Sequence, residues 1–300
     1  MWFPLSIAAL LAWSGSDLFS KIGSRPDDKY SHWKMVMAVG LVMGLHALFE
    51  IFVSGVRVTP QDLLRYAPAS AMYILSMILG YVGLRYIELS VSSPICNSSG
   101  AIAAILCFIF LDQRLNAWQT VAVFLVCGGV IALGIVEAKE DPELRAQRQE
   151  KANVKYARSV LAILLPVLYC LLDAAGTFAD SVILENMDEN VANVAYELTF
   201  LGMGIVAAVY VLIVRRQKLS FRRDAPKLLG GCFETAGQFA YIFAIADNAI
   251  AAAPIICSYC MASVLWSRIF LKEKLSWKHY ACILLAAAGI IILGVLDEIA

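Results

Sequence analysis

The sequence predicts an all-α membrane protein of ten transmembrane helices, built as two inverted five-helix repeats. Three observations lead there. Hydrophobic residues make up 60% of the 300 and charged residues 16%, against roughly 45–50% and 25% in soluble globular chains. Residues 81–137 reappear, worn but legible, at 241–297 after a gapless shift of 160 positions. The basic residues crowd into alternate loops.

A bilayer crossing takes about 20 mainly apolar residues. Such stretches run approximately at 2–20, 33–53, 66–87, 91–111 and 117–136, then at 159–180, 191–214, 227–246, 251–271 and 278–296. Helix is the expected form because it satisfies its own backbone hydrogen bonds in lipid, and the short alternating strands of a barrel are not seen. The first stretch follows Met1-Trp2-Phe3-Pro4, which carries no side-chain charge. A cleaved signal peptide has its charge before the apolar core, so this helix reads as retained.

Between the halves, residues 138–158 form the long polar interval, and Asp141-Pro142-Glu143 is a helix-start pattern within it. The expected organisation is a first repeat over 1–137, a linker over 138–158 and a second repeat over 159–300. Of the 24 Lys and Arg, 20 follow helices one, three, five, seven or nine. Arg57, Arg65 and Arg114 lie in the opposite loops, and Arg268 lies inside helix nine. Basic residues in short loops stay cytoplasmic, so both termini are expected outside a cell (inner) membrane. The run Arg215 to Arg223 then reads as an anchor on anionic lipid, not a nucleic-acid site.

The shift places Tyr81 on Tyr241, Pro94 on Pro254, Ser98 on Ser258, and Leu133-Gly134 on Leu293-Gly294. An odd number of spans per repeat turns the second copy over, which is the trace left by transporters whose site lies between two halves. Helices five and ten end in Gly-Gly-Val-Ile-Ala-Leu-Gly and Ala-Gly-Ile-Ile-Ile-Leu-Gly. Small residues allow close helix approach. These two helices are expected to pack against neighbours or to form a homodimer contact.

The eight cysteines all fall in predicted spans. Cys257-x-x-Cys260 has metal or redox spacing, but it lies in a membrane helix without nearby His, and packing is the stronger reading. No phosphate loop and no His-Glu-x-x-His motif is present. An enzyme, a cofactor and a metal are not expected.

Two five-helix halves with these features resemble the EamA-type members of the drug/metabolite transporter superfamily. In each half a Pro opens the fourth helix, and a turn follows: Phe110-Leu111-Asp112-Gln113-Arg114-Leu115, then Phe270-Leu271-Lys272-Glu273-Lys274-Leu275. A glycine-bearing fifth helix ending Leu-Gly comes next. The family's turn usually carries Gly-Glu where this chain has Leu111-Asp112 and Leu271-Lys272. The resemblance implies a central cavity lined by helices one, three, four, six, eight and nine, with five and ten peripheral, and alternating access without ATP.

Ionisable groups inside spans cost about 2.5–3.5 kcal/mol at a helix centre, so they mark pathways or internal pairs. Helix eight carries Glu234, Gln238 and Tyr241 on one face. The equivalent positions in the first repeat are Ile74, Ile78 and Tyr81. Glu234 is expected to bind a cationic group or a proton, or else to pair with Arg268. Helix six carries Asp173, Thr177 and Asp180, with Asp173 near mid-membrane as the leading solute or proton site. Helix one offers Ser14 beside Trp13 and Asp17, the last also placed to pair with Lys21. Asn97, Ser98 and Ser99 follow Pro94, and Ser258 and Tyr259 follow Pro254, as candidate cavity lining or as ordinary helix starts. His46 and Glu50 share a face of helix two, open to proton coupling or to packing. Glu197 is a minor candidate in helix seven.

The expected function is secondary active transport, as an exporter of a small organic metabolite or amino-acid-like solute, with proton coupling open. The alternative is a flippase for a lipid-linked small group, which would need cations reaching the cavity. The expected partners are that solute and the lipid bilayer.

Overall fold

The structure, a computed structural model, describes residues 1–24, 28–86, 95–111, 114–139, 160–270 and 275–299. Pro94, the centres of the two turns (112–113 and 271–274) and the linker helix expected after Asp141 lie outside the described residues. Every regular element among the described residues is helical. In chain order they are α1 (Trp2–Gly23), α2 (Ser31–Phe52), α3 (Pro60–Tyr86), α4 (Ser99–Phe110) and α5 (Ala117–Ala138). Then come α6 (Val160–Leu184), α7 (Glu189–Ala208), α8 (Phe221–Cys257), α9 (Tyr259–Phe270) and α10 (Trp277–Ile299).

Among the described residues, six stretches are long and apolar enough to cross a membrane: Ser31–Phe52, Pro60–Gly83, Ala117–Val136, Leu164–Leu184, Glu189–Val214 and Phe221–Phe270. Ile95–Phe110 and Trp277–Leu293 are shorter apolar helices. α1 is not among the six. It carries Ser6, Ser14, Ser16, Asp17, Ser20 and Lys21, which lower its hydropathy, and the four serines are buried against other helices. Large apolar side chains such as Leu45, Phe108, Phe124, Trp277 and Leu284 face outward, while Ser16, Thr177, Asp180, Gln238 and Lys227 are buried. A polar interior under an apolar rim is the arrangement expected where lipid, not water, surrounds the fold. The chain is a multi-pass membrane protein.

Local chemistry explains where the helices start and bend. Asp188 caps α7, accepting from the Asn190 and Val191 amides. The helical path of α7 widens into a π-helical turn over Val209–Val214. α8 is interrupted at Asn248, whose φ of −157° and ψ of 81° are not helical. The sequence puts a helix start at Pro254, but the helix begins again directly after Asn248, and Pro254 falls inside it. The break follows at Ser258 (φ −72°, ψ 2°), whose amide donates to the carbonyls of Pro254 and Ile255. Proline has no amide hydrogen to give its own turn, which weakens the helix just ahead of this break. Ser98 sits in a matching break ahead of α4 (φ −65°, ψ −9°), its amide donating to Ile95.

The most extensive packing joins α1 to α8, α3 to α6, α2 to α7 and α5 to α10. α4 lies against α6 and α8, and α9 against α1. Renumbering α1–α5 as α6–α10 exchanges the first two pairings and returns the α2–α7 and α5–α10 pairings to themselves. Each half therefore completes its core with helices of the other, and the space enclosed by α1, α3, α6 and α8 lies between them.

Candidate functional site

That space is a cavity with an empty volume of about 830 Å³, open solvent included. α1 contributes Trp13, Ser16, Asp17 and Ser20. α3 contributes Tyr73, Met77, Gly80 and Tyr81, and α6 contributes Tyr169 and Asp173. Tyr196 of α7, Glu234, Gln238 and Cys257 of α8, Cys96 and Tyr259 complete the wall. The spacing of Glu234 and Gln238, one turn apart, brings both to it from one helix face.

The acids are held by hydroxyls. Ser16 donates to Glu234 at 2.7 Å, Ser99 donates to Asp173 at 2.6 Å, and Ser263 of α9 donates to Asp17 at 2.9 Å. The described partner of Glu234 is thus Ser16 of the opposite half, and Arg268 is not part of the cavity wall. No Lys, Arg or His is among the described residues of that wall. Three donors in the wall have no hydrogen-bond partner among the described residues: the Trp13 indole, the Tyr81 hydroxyl and the Gln238 amide nitrogen.

Beneath the cavity lies a second polar layer. Tyr66, Tyr73 and Tyr241 all donate to the buried carboxylate of Asp180, at 2.5, 2.9 and 3.0 Å, and Tyr73 also reaches Thr177 at 3.2 Å. Thr177 and Tyr241 belong to this layer and not to the cavity wall. Lys227 lies 14 residues before Tyr241, about 21 Å along a helix. There a third layer pairs Lys227 with Asp224 at 2.8 Å and Lys34 with Asp28 at 2.7 Å, both lysines buried.

Several expected site residues lie elsewhere. Ser14 donates to the Leu11 carbonyl and accepts from the Trp266 indole, so it packs α1 on α9. The cavity serines of α1 are Ser16 and Ser20. Asn97 and Ser98 line a small separate crevice with Cys127, Val130 and Pro254, and Ser99 is the residue that reaches Asp173. Ser258 donates to the Ile255 carbonyl and stays at the helix break, while Tyr259 takes the cavity. Glu197 meets His46 across the α2–α7 contact. All eight cysteines are free thiols, and among the described residues no group of three or more His, Cys, Asp or Glu is arranged to hold a metal.

The EamA-like transporter family matches residues 1–135 and again residues 160–295. The chain belongs to this family. As an EamA-like protein it is a membrane transporter of small solutes. No curated protein matches the sequence. Among solved structures, one described only as the crystal structure of a protein superposes with a TM-score of 0.70 at 12% identity, covering 99% of this chain and 97% of that one. At that identity the likeness speaks for the fold alone. Of the walls expected for the family, α1, α3, α6, α8 and α9 supply lining residues, Cys96 lies just ahead of α4, and Tyr196 of α7 is added.

Proposed function

We propose that this EamA-like protein is a secondary active exporter of a small organic solute that works by alternating access. Its ten helices cross the cell membrane as two inverted repeats, with the basic loops inside and both termini outside. The observation that carries this reading is the acidic cavity built from α1 and α3 of one half and α6 and α8 of the other. A site shared by two halves changes its access when they rock against each other.

The polar layers above and below support the same reading. The Asp180–tyrosine layer and the Asp28–Lys34–Asp224–Lys227 layer flank the cavity along α8. Opening one while the other stays closed exposes the cavity to one side at a time. Glu234 and Asp173 hold the solute's polar group, and a proton takes their place on the return, so the outward step is linked to proton entry.

Purified protein in liposomes, loaded with mixed metabolites and screened for efflux under an imposed pH gradient, tests this. We expect Asp173→Asn and Glu234→Gln each to lower the flux at least tenfold, with the pH dependence lost in at least one. Flux unchanged in both removes the assigned roles. Flux indifferent to the gradient removes the proton coupling.

A further inference from the structure

Resting on the transport reading, we propose that the cavity selects an organic monocation: a protonated amine that also carries a neutral hydrogen-bond acceptor such as a hydroxyl, amide or ester. It discriminates against zwitterions and anions.

The first argument is charge. The acids Asp173 and Glu234 share one wall, with Asp17 beside them, and the described wall contains no basic side chain. Each of the first two receives one described hydroxyl hydrogen bond. An ionised carboxylate accepts at about four lone-pair positions, so each has room for an ammonium group.

Aromatic faces strengthen the preference. Tyr81, Tyr169, Tyr196 and Tyr259 line the same space as Trp13, which meets the Tyr259 ring edge-on at 5.9 Å. The electron-rich ring faces attract a cation, most strongly where water is excluded.

The orphaned donors supply the second half of the ligand. Gln238 is 1% exposed and Tyr81 7%, yet among the described residues the Gln238 amide nitrogen and the Tyr81 hydroxyl have no partner, nor has the Trp13 indole. Buried donors left unmet are costly, and all three border this cavity. They call for an acceptor atom on the solute. A carboxylate would serve as acceptor, but it would lie among Asp173 and Glu234 with no described cation to balance it. A neutral acceptor satisfies the donors without that repulsion.

The test uses a matched series on the wild-type protein: leucinamide and leucinol, free leucine, and isopentylamine, which keeps the amine but lacks the acceptor. Binding is read by calorimetry in detergent, and flux in liposomes. We expect leucinamide and leucinol to bind at least tenfold more tightly than leucine and several-fold more tightly than isopentylamine. Glu234→Gln and Asp173→Asn should lower amine affinity at least tenfold, and Gln238→Leu should erase the advantage over isopentylamine. Leucine binding as well as leucinamide, or none of the series binding, overturns the proposal. Leucine carried in preference to the amines overturns the solute class while upholding transport. The expected binding order without any flux upholds the site chemistry and removes the transport reading.

Discussion

His46 stands between two carboxylates that the sequence keeps far apart. Its Nδ1 lies 2.8 Å from Glu197 of α7, and its Nε2 lies 3.7 Å from Glu50 of its own helix. Glu197 is fully buried and receives one further hydrogen bond, from Asn193 at 3.2 Å. The i, i+4 relation to Glu50 is legible in the sequence, whereas Glu197 lies 151 positions away, and no helical period reports such a contact. The cavity acids Asp173 and Glu234 were legible for the opposite reason. Each is an ionisable residue inside an otherwise apolar span, on a polar stripe that helical spacing makes visible. Ser14 was misplaced because α1 has serines at 6, 14, 16 and 20, around much of its circumference, so composition does not say which side meets the cavity. Removing His46 alone leaves the buried Glu197 with Asn193 as its one described donor. We expect His46→Leu to lower stability by about 1–3 kcal/mol, the cost of an unmet buried acceptor. His46→Leu with Glu197→Leu should recover most of that loss, because no buried carboxylate remains. Thermal melts of the three variants in detergent decide it: a double variant less stable than His46→Leu means that the pair is not the source of the effect.

At the scale of elements, the repeated Leu-Gly helices behave as packing members of one chain. A Cβ on Gly289 of α10 would lie 2.6 Å from the Ala122 carbonyl oxygen, and one on Gly129 of α5 would lie 2.9 Å from the Ala286 Cβ. Their small-residue faces are thus used against each other inside the molecule. The period of small residues was readable along the chain, but whether the facing surface was α10 or a second copy was not. The break before α9 was misjudged by a similar margin. Pro254 marks a start on sequence grounds, while Asn248 and Ser258 carry the actual breaks, because a proline inside a helix disturbs the turn around it more than it fixes an end. Since α5 and α10 supply no cavity residue, damage there should separate stability from recognition. Gly289→Leu cannot fit without parting the two helices and is expected to cost about 1–3 kcal/mol, the usual penalty of overpacking. Solute affinity of the protein that remains folded should stay within about twofold. A tenfold loss of affinity in the folded fraction would place α10 in the site after all.

For the whole molecule, the decisive feature is that two polar layers at different depths flank one cavity along α8. One is uncharged apart from Asp180. The other holds two lysine–aspartate pairs at the N-terminal starts of α2 and α8. Each pair is close in sequence, but the meeting of the two pairs, nearly 200 positions apart, follows no local sequence pattern. Lys227 in particular reads from sequence as a loop cation, yet it is buried with its stem against Gly23. In the loop between α1 and α2, burial alone would raise the Asp28 carboxyl. The Lys34 hydrogen bond, the Tyr30 amide and the nearby charge of Lys227 outweigh it and hold the carboxyl below its ordinary 3.8. A depressed acid contributes stability that is full above its unfolded value and lost as the pH falls through its folded one. The Asp28 contribution is therefore constant from pH 8 to pH 5 and disappears only below 3.8. Asp28→Asn leaves Lys34 buried without its anion, a loss of about 3–5 kcal/mol for a buried pair. It should also loosen the closed layer, so that a cysteine-reactive probe added from that side reaches Cys257 in the cavity wall faster than in the wild type. Melting temperatures of both proteins from pH 8 to pH 3 give the check. Their difference should stay level to pH 5 and close below 3.8, and a difference that instead widened or vanished between pH 8 and pH 5 would assign the layer's stability to another group.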